Sequence, residues 1–235
     1  MGRKVGGVVG DYSTQKRKVL FFVPNVVCYC RIILALWASS IHSTQHYTFV
    51  ALVCVACGTD ILDGFLARKL NQCSEIGIFL DVVADNILRT VLWTAVSHAN
   101  ERLSAICAFV ICIEWTCFCC TQISAQAEKS DKHWKDIARN STTPWIIQKY
   151  FENGFRNVLG GGGILALFFC PLFFYVQSNI GFGEHGKLAN VVGIALVCFR
   201  LLDMYVETHF ILLYVDTVLE RDLKPQRSEE RRVGK

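Results

Sequence analysis

Apolar residues along the chain gather in blocks of about twenty, the length at which an α-helix crosses a hydrocarbon core of ~30 Å. Six such blocks can be read, at about 24–42, 47–66, 77–98, 103–123, 155–178 and 188–213. Their 3.6-residue periodicity is weak, as expected of helices with lipid or other helices on every side. Strands are disfavoured, because an isolated strand in lipid leaves its backbone groups unpaired. The pattern predicts an all-α, polytopic membrane protein with six transmembrane helices.

Composition supports the same class. Of the 235 residues, 52% are hydrophobic and 19% charged, and the mean hydropathy is +0.35. A soluble domain carries about 25% charged residues, so the polar surface it would need is partly missing. Only four prolines and the low charge exclude a disordered or fibrous chain. Eleven of the twelve cysteines lie inside apolar blocks, where cysteine behaves as a small hydrophobe. Cys54-x-x-Cys57 and Cys117-x-x-Cys120 have metal-ligand spacing, but no paired His/Cys set follows at zinc-site intervals. Core packing is therefore their expected role.

Lysine and arginine placement gives the orientation. The arm 1–18 holds Arg3, Lys4, Lys16, Arg17 and Lys18, the turn after the second block holds Arg68 and Lys69, and the loop after the fourth holds Lys129, Lys132, Lys135, Arg139 and Lys149. The connection 42–46 has none, and those near Asn100 and Glu184 have one each, Arg102 and Lys187. Both termini should be cytosolic, and the sequon Asn140-Ser141-Thr142 should stay bare. No cleavable signal peptide is expected, since no small-residue cleavage pattern follows the basic arm. Gly2 lacks the Ser or Thr at position 6 that myristoylation needs. The expected organisation is a basic arm 1–18, a membrane domain 19–215 and a cytosolic tail 216–235. Residues 227–235 resemble the translation of a sequencing-adapter oligonucleotide; without their four basic and two acidic residues the net charge falls from +4 to +2. The basic balance thus argues for no nucleic-acid partner.

The chemistry is concentrated in Asp60-Ile-Leu-Asp63-Gly64-Phe-Leu-Ala67-Arg68 and Gly77-Ile-Phe-Leu-Asp81-Val-Val-Ala-Asp85. At about 100° per residue, Asp60, Asp63, Gly64 and Ala67 share a face at the cytosolic end of one helix. Gly77, Asp81 and Asp85 share a face at the start of the next, which the short basic turn makes an antiparallel neighbour. An aspartate at mid-membrane costs ~2.5–3.5 kcal/mol, less near the interface. Four together repel one another and call for cations, and clustered carboxylates suit hard ions such as Mg²⁺ or Mn²⁺. Gly64 and Gly77 permit close approach of a ligand or backbone. Arg68 offers a fork of donors that matches phosphate. A pyrophosphate substrate fits this set, with metals neutralising charge on the transferred group and a free carboxylate taking a proton from an attacking hydroxyl.

The pattern D-x2-D-G-x2-A-R-x8-G-x3-D-x3-D resembles the signature of the CDP-alcohol phosphatidyltransferases. Within that family the chain is most similar to the eukaryotic phosphatidylinositol synthases, on Phe22-Val-Pro-Asn25, Tyr29-x-Arg31-Ile32 and Leu70-Asn71-Gln72, thinning over about 19–215. The resemblance implies a six-helix homodimer of the endoplasmic reticulum membrane with a polar cavity open to the cytosol. It implies that Asp60, Asp63, Asp81 and Asp85 bind two divalent ions, Mg²⁺ or Mn²⁺, and that Asp85 is also the general base. Asn25, Asp60, Gly64, Ala67, Arg68 and Gly77 would bind CDP-diacylglycerol, with Asn25 toward its phosphates. The hydroxyl of myo-inositol would attack the phosphorus bearing the diacylglycerol and release CMP.

On the acceptor side the candidates are Glu114, Lys149 and Tyr150. Here the chain departs from the phosphatidylinositol synthases: Glu114-Trp-Thr-Cys-Phe118 has glutamate for aspartate and phenylalanine for histidine, and Lys149 stands where a tyrosine is usual. Glycerol phosphate, serine, or choline and ethanolamine with CDP-linked headgroups stay open as acceptors, with Lys149, Arg156 and Arg200 as the basic pocket a charged acceptor would need. A non-enzymatic transporter or scaffold is the alternative class. Arg200 and Asp203, three apart, are read as a structural pair, with Arg200 facing the cavity as the alternative. Gly160–Gly163 lacks the Gly-Lys-Ser/Thr of a phosphate loop and is read as a close-packing run. His133-Trp134 is read as an interfacial anchor.

Overall fold

The computed structural model describes residues 17–127, 143–183 and 186–233; the N-terminal arm, the sequon and His133-Trp134 lie outside them, apart from Arg17 and Lys18. Seven α-helices can be followed among the described residues: α1 Val23–Ile41, α2 His46–Lys69, α3 Glu75–Ala99, α4 Ser104–Ala127, α5 Trp145–Phe151, α6 Val158–Asn179 and α7 Gly186–Val233. No strand occurs among these residues. Five stretches are long and apolar enough to cross a membrane: Val23–Ile41, His46–Lys69, Glu101–Ala125, Val158–Asn179 and Gly186–Leu223. The expected sixth is α3. At 25 residues it is long enough, but it carries Glu75, Asp81, Asp85 and Arg89. The expected span 188–213 continues as helix to Val233, where Leu, Glu, Arg and Lys, all good helix formers, follow Val218. The short helix α5 was not foreseen; it inserts Ile147, Tyr150 and Phe151 into a core.

The chain divides into two compact units. The first runs to Arg102 and takes in Tyr175–Gly181; the second comprises Leu103–Phe174 and the chain from Phe182 onward. In the first unit α1 packs along both α2 and α3, which touch each other far less. The expected direct α2–α3 pairing is thus replaced by one through α1. Each helix brings one inward stripe. Ala35 and Ala38 of α1, Phe49, Val53 and Ala56 of α2, and Leu88, Leu92 and Val96 of α3 are buried at the apolar end. One or two turns along, the same stripes change to Cys28 and Arg31, to Asp60 and Asp63, and to Asp81 and Asp85. Small residues on α1 allow this close approach. Ile33, Leu36 and Trp37 point outward instead, as lipid-facing side chains do.

At the apolar end three connections are tied together. His42 Nε2 lies 2.8 Å from His98 Nδ1, joining the end of α1 to the end of α3. The Tyr175 hydroxyl donates to the His42 carbonyl and lies 2.9 Å from His46 Nδ1.

The second unit is built on a charged strut. Arg200 donates to Glu114 Oε1 at 2.9 Å and to Glu207 Oε2 at 3.1 Å, while Tyr150 donates to Asp203 Oδ1 at 2.8 Å. Asp203, the expected partner of Arg200, acts on it electrostatically and accepts from the tyrosine of α5, while the guanidinium is long enough to reach Glu114 of α4 as well. Gly160–Gly163 makes room for this arrangement. A Cβ on Gly163 would strike Asp203 Oδ1 and the Tyr150 hydroxyl, and one on Gly162 would strike the Phe199 ring.

Candidate active site

The turn between α2 and α3 is defined residue by residue. Asn71 takes φ 52°, a left-handed conformation that asparagine tolerates. This lets Gln72 N–H bond the Ala67 carbonyl at 2.9 Å and Asn71 N–H the Arg68 carbonyl at 3.4 Å, which satisfies the last carbonyls of α2. Three residues on, Ser74 Oγ accepts from Gly77 N–H at 3.1 Å and caps α3. Gln72 Oε1 meanwhile accepts from Val23 N–H at 2.9 Å at the start of α1. One short turn thereby fixes the entry of two helices and the exit of a third.

Above that turn the four aspartates converge as the spacing predicts. The feature sequence reasoning missed is what lies among them. Arg31 of α1, wholly buried, directs Nη1 to Asp60 Oδ1 at 2.5 Å and to Asp63 Oδ2 at 3.3 Å. Its Nη2 meets Asp81 Oδ1 at 2.5 Å, the Asp81 carbonyl at 3.0 Å and Asp85 Oδ1 at 3.5 Å. A signal was present: an arginine inside an apolar block is costly unless paired, and four unpaired carboxylates stood in the next two helices. Cys28, read as packing, also reaches the cluster, with Sγ 3.6 Å from Asp63 Oδ2.

The donor set fits hard divalent ions. Carboxylate oxygens of Asp60, Asp81 and Asp85 lie within 4.8 Å of one another, and ligand atoms of Cys28, Asp63 and Asp81 form a second such group. Asp81 belongs to both. Oxygen donors at this density suit Mg²⁺ or Mn²⁺.

Beside the cluster lies a cleft of about 200 Å³ bordered by Asn25, Asp63, Gly64, Ala67, Arg68, Gly77 and Asp81. It brings together five of the six residues expected at the nucleotide; Asp60, the sixth, is with the aspartates. Asn25 is fully buried, donates its amide to the Val19 carbonyl at 2.7 Å, and leaves Oδ1 without a hydrogen-bond partner next to Gly77. The side chain therefore offers an acceptor at Oδ1, suited to an N–H, an O–H or a hydrated ion, and its amide carries a second N–H, the donor that a phosphate oxygen needs.

Gly64 and Gly77 differ in what they spare. A Cβ on Gly77 would lie 2.8 Å from Asn25 Oδ1, so Gly77→Ala should cost ~1–3 kcal/mol of stability. A Cβ on Gly64 would meet only Arg68, at 3.6 Å. Gly64→Ala should therefore unfold at the wild-type temperature yet bind a cytidine nucleotide more weakly, as thermal unfolding and titration calorimetry of the two variants would measure.

The acceptor candidates lie in the second unit. Glu114 is buried in the Arg200 pair, and Lys149 is exposed and paired with Glu152 at 2.9 Å. Burial, and then the Asp203 carboxylate beside it, push the Tyr150 hydroxyl above the ordinary phenol range, so it remains a donor.

Comparison with known proteins adds an independent line. A chain from Arabidopsis thaliana described as a probable CDP-diacylglycerol–inositol 3-phosphatidyltransferase is 27% identical over 177 residues, 74% of this chain and 73% of that one. The Saccharomyces cerevisiae CDP-diacylglycerol–inositol 3-phosphatidyltransferase is 39% identical over 67 residues, 28% of this chain and 30% of its own length. An Escherichia coli CDP-diacylglycerol–glycerol-3-phosphate 3-phosphatidyltransferase is 47% identical over 47 residues, 20% of this chain and 26% of its own. No solved structure matches. The family model described as CDP-alcohol phosphatidyltransferase matches residues 21–152, more than half of the chain and the whole of the aspartate-bearing pair of helices. This chain belongs to the CDP-alcohol phosphatidyltransferase family, and is a membrane-embedded transferase of that class.

Proposed function

We propose that the chain makes phosphatidylinositol from CDP-diacylglycerol and myo-inositol, releasing CMP. The observation that carries this reading is the convergence of Asp60, Asp63, Asp81 and Asp85 beside a cleft bordered by Gly64 and Arg68. The inositol-specific names of the longer matches support the acceptor. The glycerol phosphate enzyme matches over only 47 residues, which supports common chemistry and leaves the acceptor to the longer matches.

In this reading Arg68, the open face of Gly64 and the cleft beside Gly77 receive the nucleotide end of the donor. Two divalent ions, Mg²⁺ or Mn²⁺, would be held by Asp60, Asp63, Asp81 and Asp85, and when bound they neutralise the charge of the transferred phosphoryl group. Asp85 takes the proton from the inositol hydroxyl as that oxygen attacks the phosphorus bearing the diacylglycerol. Glu114, Lys149 and Tyr150 are the acceptor candidates that the family resemblance supplies. Counting α3 gives six crossings with both termini cytosolic, which agrees with the lysine and arginine bias. The homodimer and the endoplasmic reticulum rest on the family resemblance alone.

Membranes containing the protein, given CDP-diacylglycerol, Mn²⁺ and labelled inositol, should yield labelled phosphatidylinositol and CMP. Label entering lipid only from glycerol phosphate or serine would overturn the acceptor assignment and leave the family chemistry standing.

A further inference from the structure

Arg31 has no reason to be on α1 that α1 itself supplies. The helix carries no acidic residue, and an arginine without a partner there would be expensive to insert. Yet its guanidinium is fully buried and spends its two outer nitrogens on opposite walls of the site, Nη1 on Asp60 and Asp63 of α2, Nη2 on Asp81 and Asp85 of α3. Nε, also buried, has no hydrogen-bond partner, so the guanidinium is oriented through its outer nitrogens, by the four carboxylates and the Asp81 carbonyl. The two helices it bridges make few contacts of their own. Only a planar fork reaches both; a lysine ammonium is a single point charge.

We infer that Arg31 is a built-in counter-cation, a positioning residue that holds the metal-binding carboxylates of α2 and α3 together when no divalent ion is bound. The inference rests on the two-ion reading of the site. Arg89, on α3 itself, acts on Asp85, but Arg31 is the cation that meets carboxylates of both helices. Without it the α2 and α3 carboxylates would repel one another across the site, which would then assemble chiefly around metal. Arg31 and the ions satisfy the same carboxylates, so the two are linked: removing the arginine makes the folded state depend more steeply on metal.

The test uses the full chain in detergent micelles, with unfolding temperature measured in EDTA and in saturating Mn²⁺ for wild type, Arg31→Gln and Arg31→Lys. In EDTA, Arg31→Gln should unfold roughly 6 °C or more below wild type, as expected for a broken buried ion pair. Arg31→Lys should fall between. Mn²⁺ should raise the glutamine variant more than wild type and close at least half of the gap. Equal unfolding temperatures in EDTA would overturn the inference, as would equal Mn²⁺ shifts in wild type and Arg31→Gln. So would both variants remaining unfolded in Mn²⁺, because the metal would then be no substitute for the guanidinium. Absence of any Mn²⁺ shift in all three proteins would overturn it together with the two-ion reading. The inositol incorporation assay tests the acceptor separately.

Discussion

Asp85→Asn should abolish lipid synthesis, lowering inositol incorporation by ~10²–10⁴-fold, the usual contribution of a positioned general base. The protein should still fold. Four carboxylates share the Arg31 guanidinium, so removing one negative charge eases repulsion. Asparagine also retains the shape of the side chain. A loss of metal binding alone would give the same silence, and the metal series separates the two. Asp60→Asn and Asp63→Asn weaken a ligand set without removing the base, so excess Mn²⁺ should return part of their activity. It should return none to Asp85→Asn. Recovery of that variant at high Mn²⁺ would reduce Asp85 to a ligand and move the base elsewhere.

Arg200→Gln should be the most damaging single change in the second unit, costing about 3–5 kcal/mol by leaving Glu114 buried without its cation. For a chain of this size that is a fall of roughly 6–20 °C in unfolding temperature. The double variant Glu114→Gln with Arg200→Gln should recover part of the loss, because no lone charge is then buried. The same pair of measurements bears on the acceptor. If Glu114 acts chiefly on inositol, Glu114→Gln raises KM for inositol and leaves unfolding unchanged. If the strut is its main role, unfolding moves first and the surviving enzyme keeps its KM.

Much of this was legible in the sequence, and what was not has an identifiable cause. Asp60, Asp63, Asp81 and Asp85 declare themselves because helical spacing is a local property, readable without knowing what the helix touches. Gly77 likewise sits where Asn25 leaves no room for a side chain. Arg31 does not declare itself. Its partners are 29 to 54 positions away, and nothing in Tyr29-x-Arg31-Ile32 says which helices α1 separates. The same limit hid the long-range partner of Arg200. Asp203 is its neighbour along one helix, whereas Glu114 comes from 86 positions away. The helix Trp145–Phe151 was missed because seven residues are too few for periodicity to stand out, and its burial comes from tertiary contacts with Val206 and Phe210.

The double duty of the loop from Leu70 to Ser74 sets a limit on how this protein can change. Its cap at Ser74, its left-handed step at Asn71 and the grip of Gln72 on Val23 all depend on the number of residues between Arg68 and Gly77. One extra residue within the first turn of α3 would turn the rest of that helix by about 100° relative to its cap, and one in the loop would break the spacing between the α2 end and that cap. Either swings Asp81 and Asp85 away from their counterparts. The loop length is therefore fixed: a library of single-codon insertions across 69–76 should contain almost no active clones.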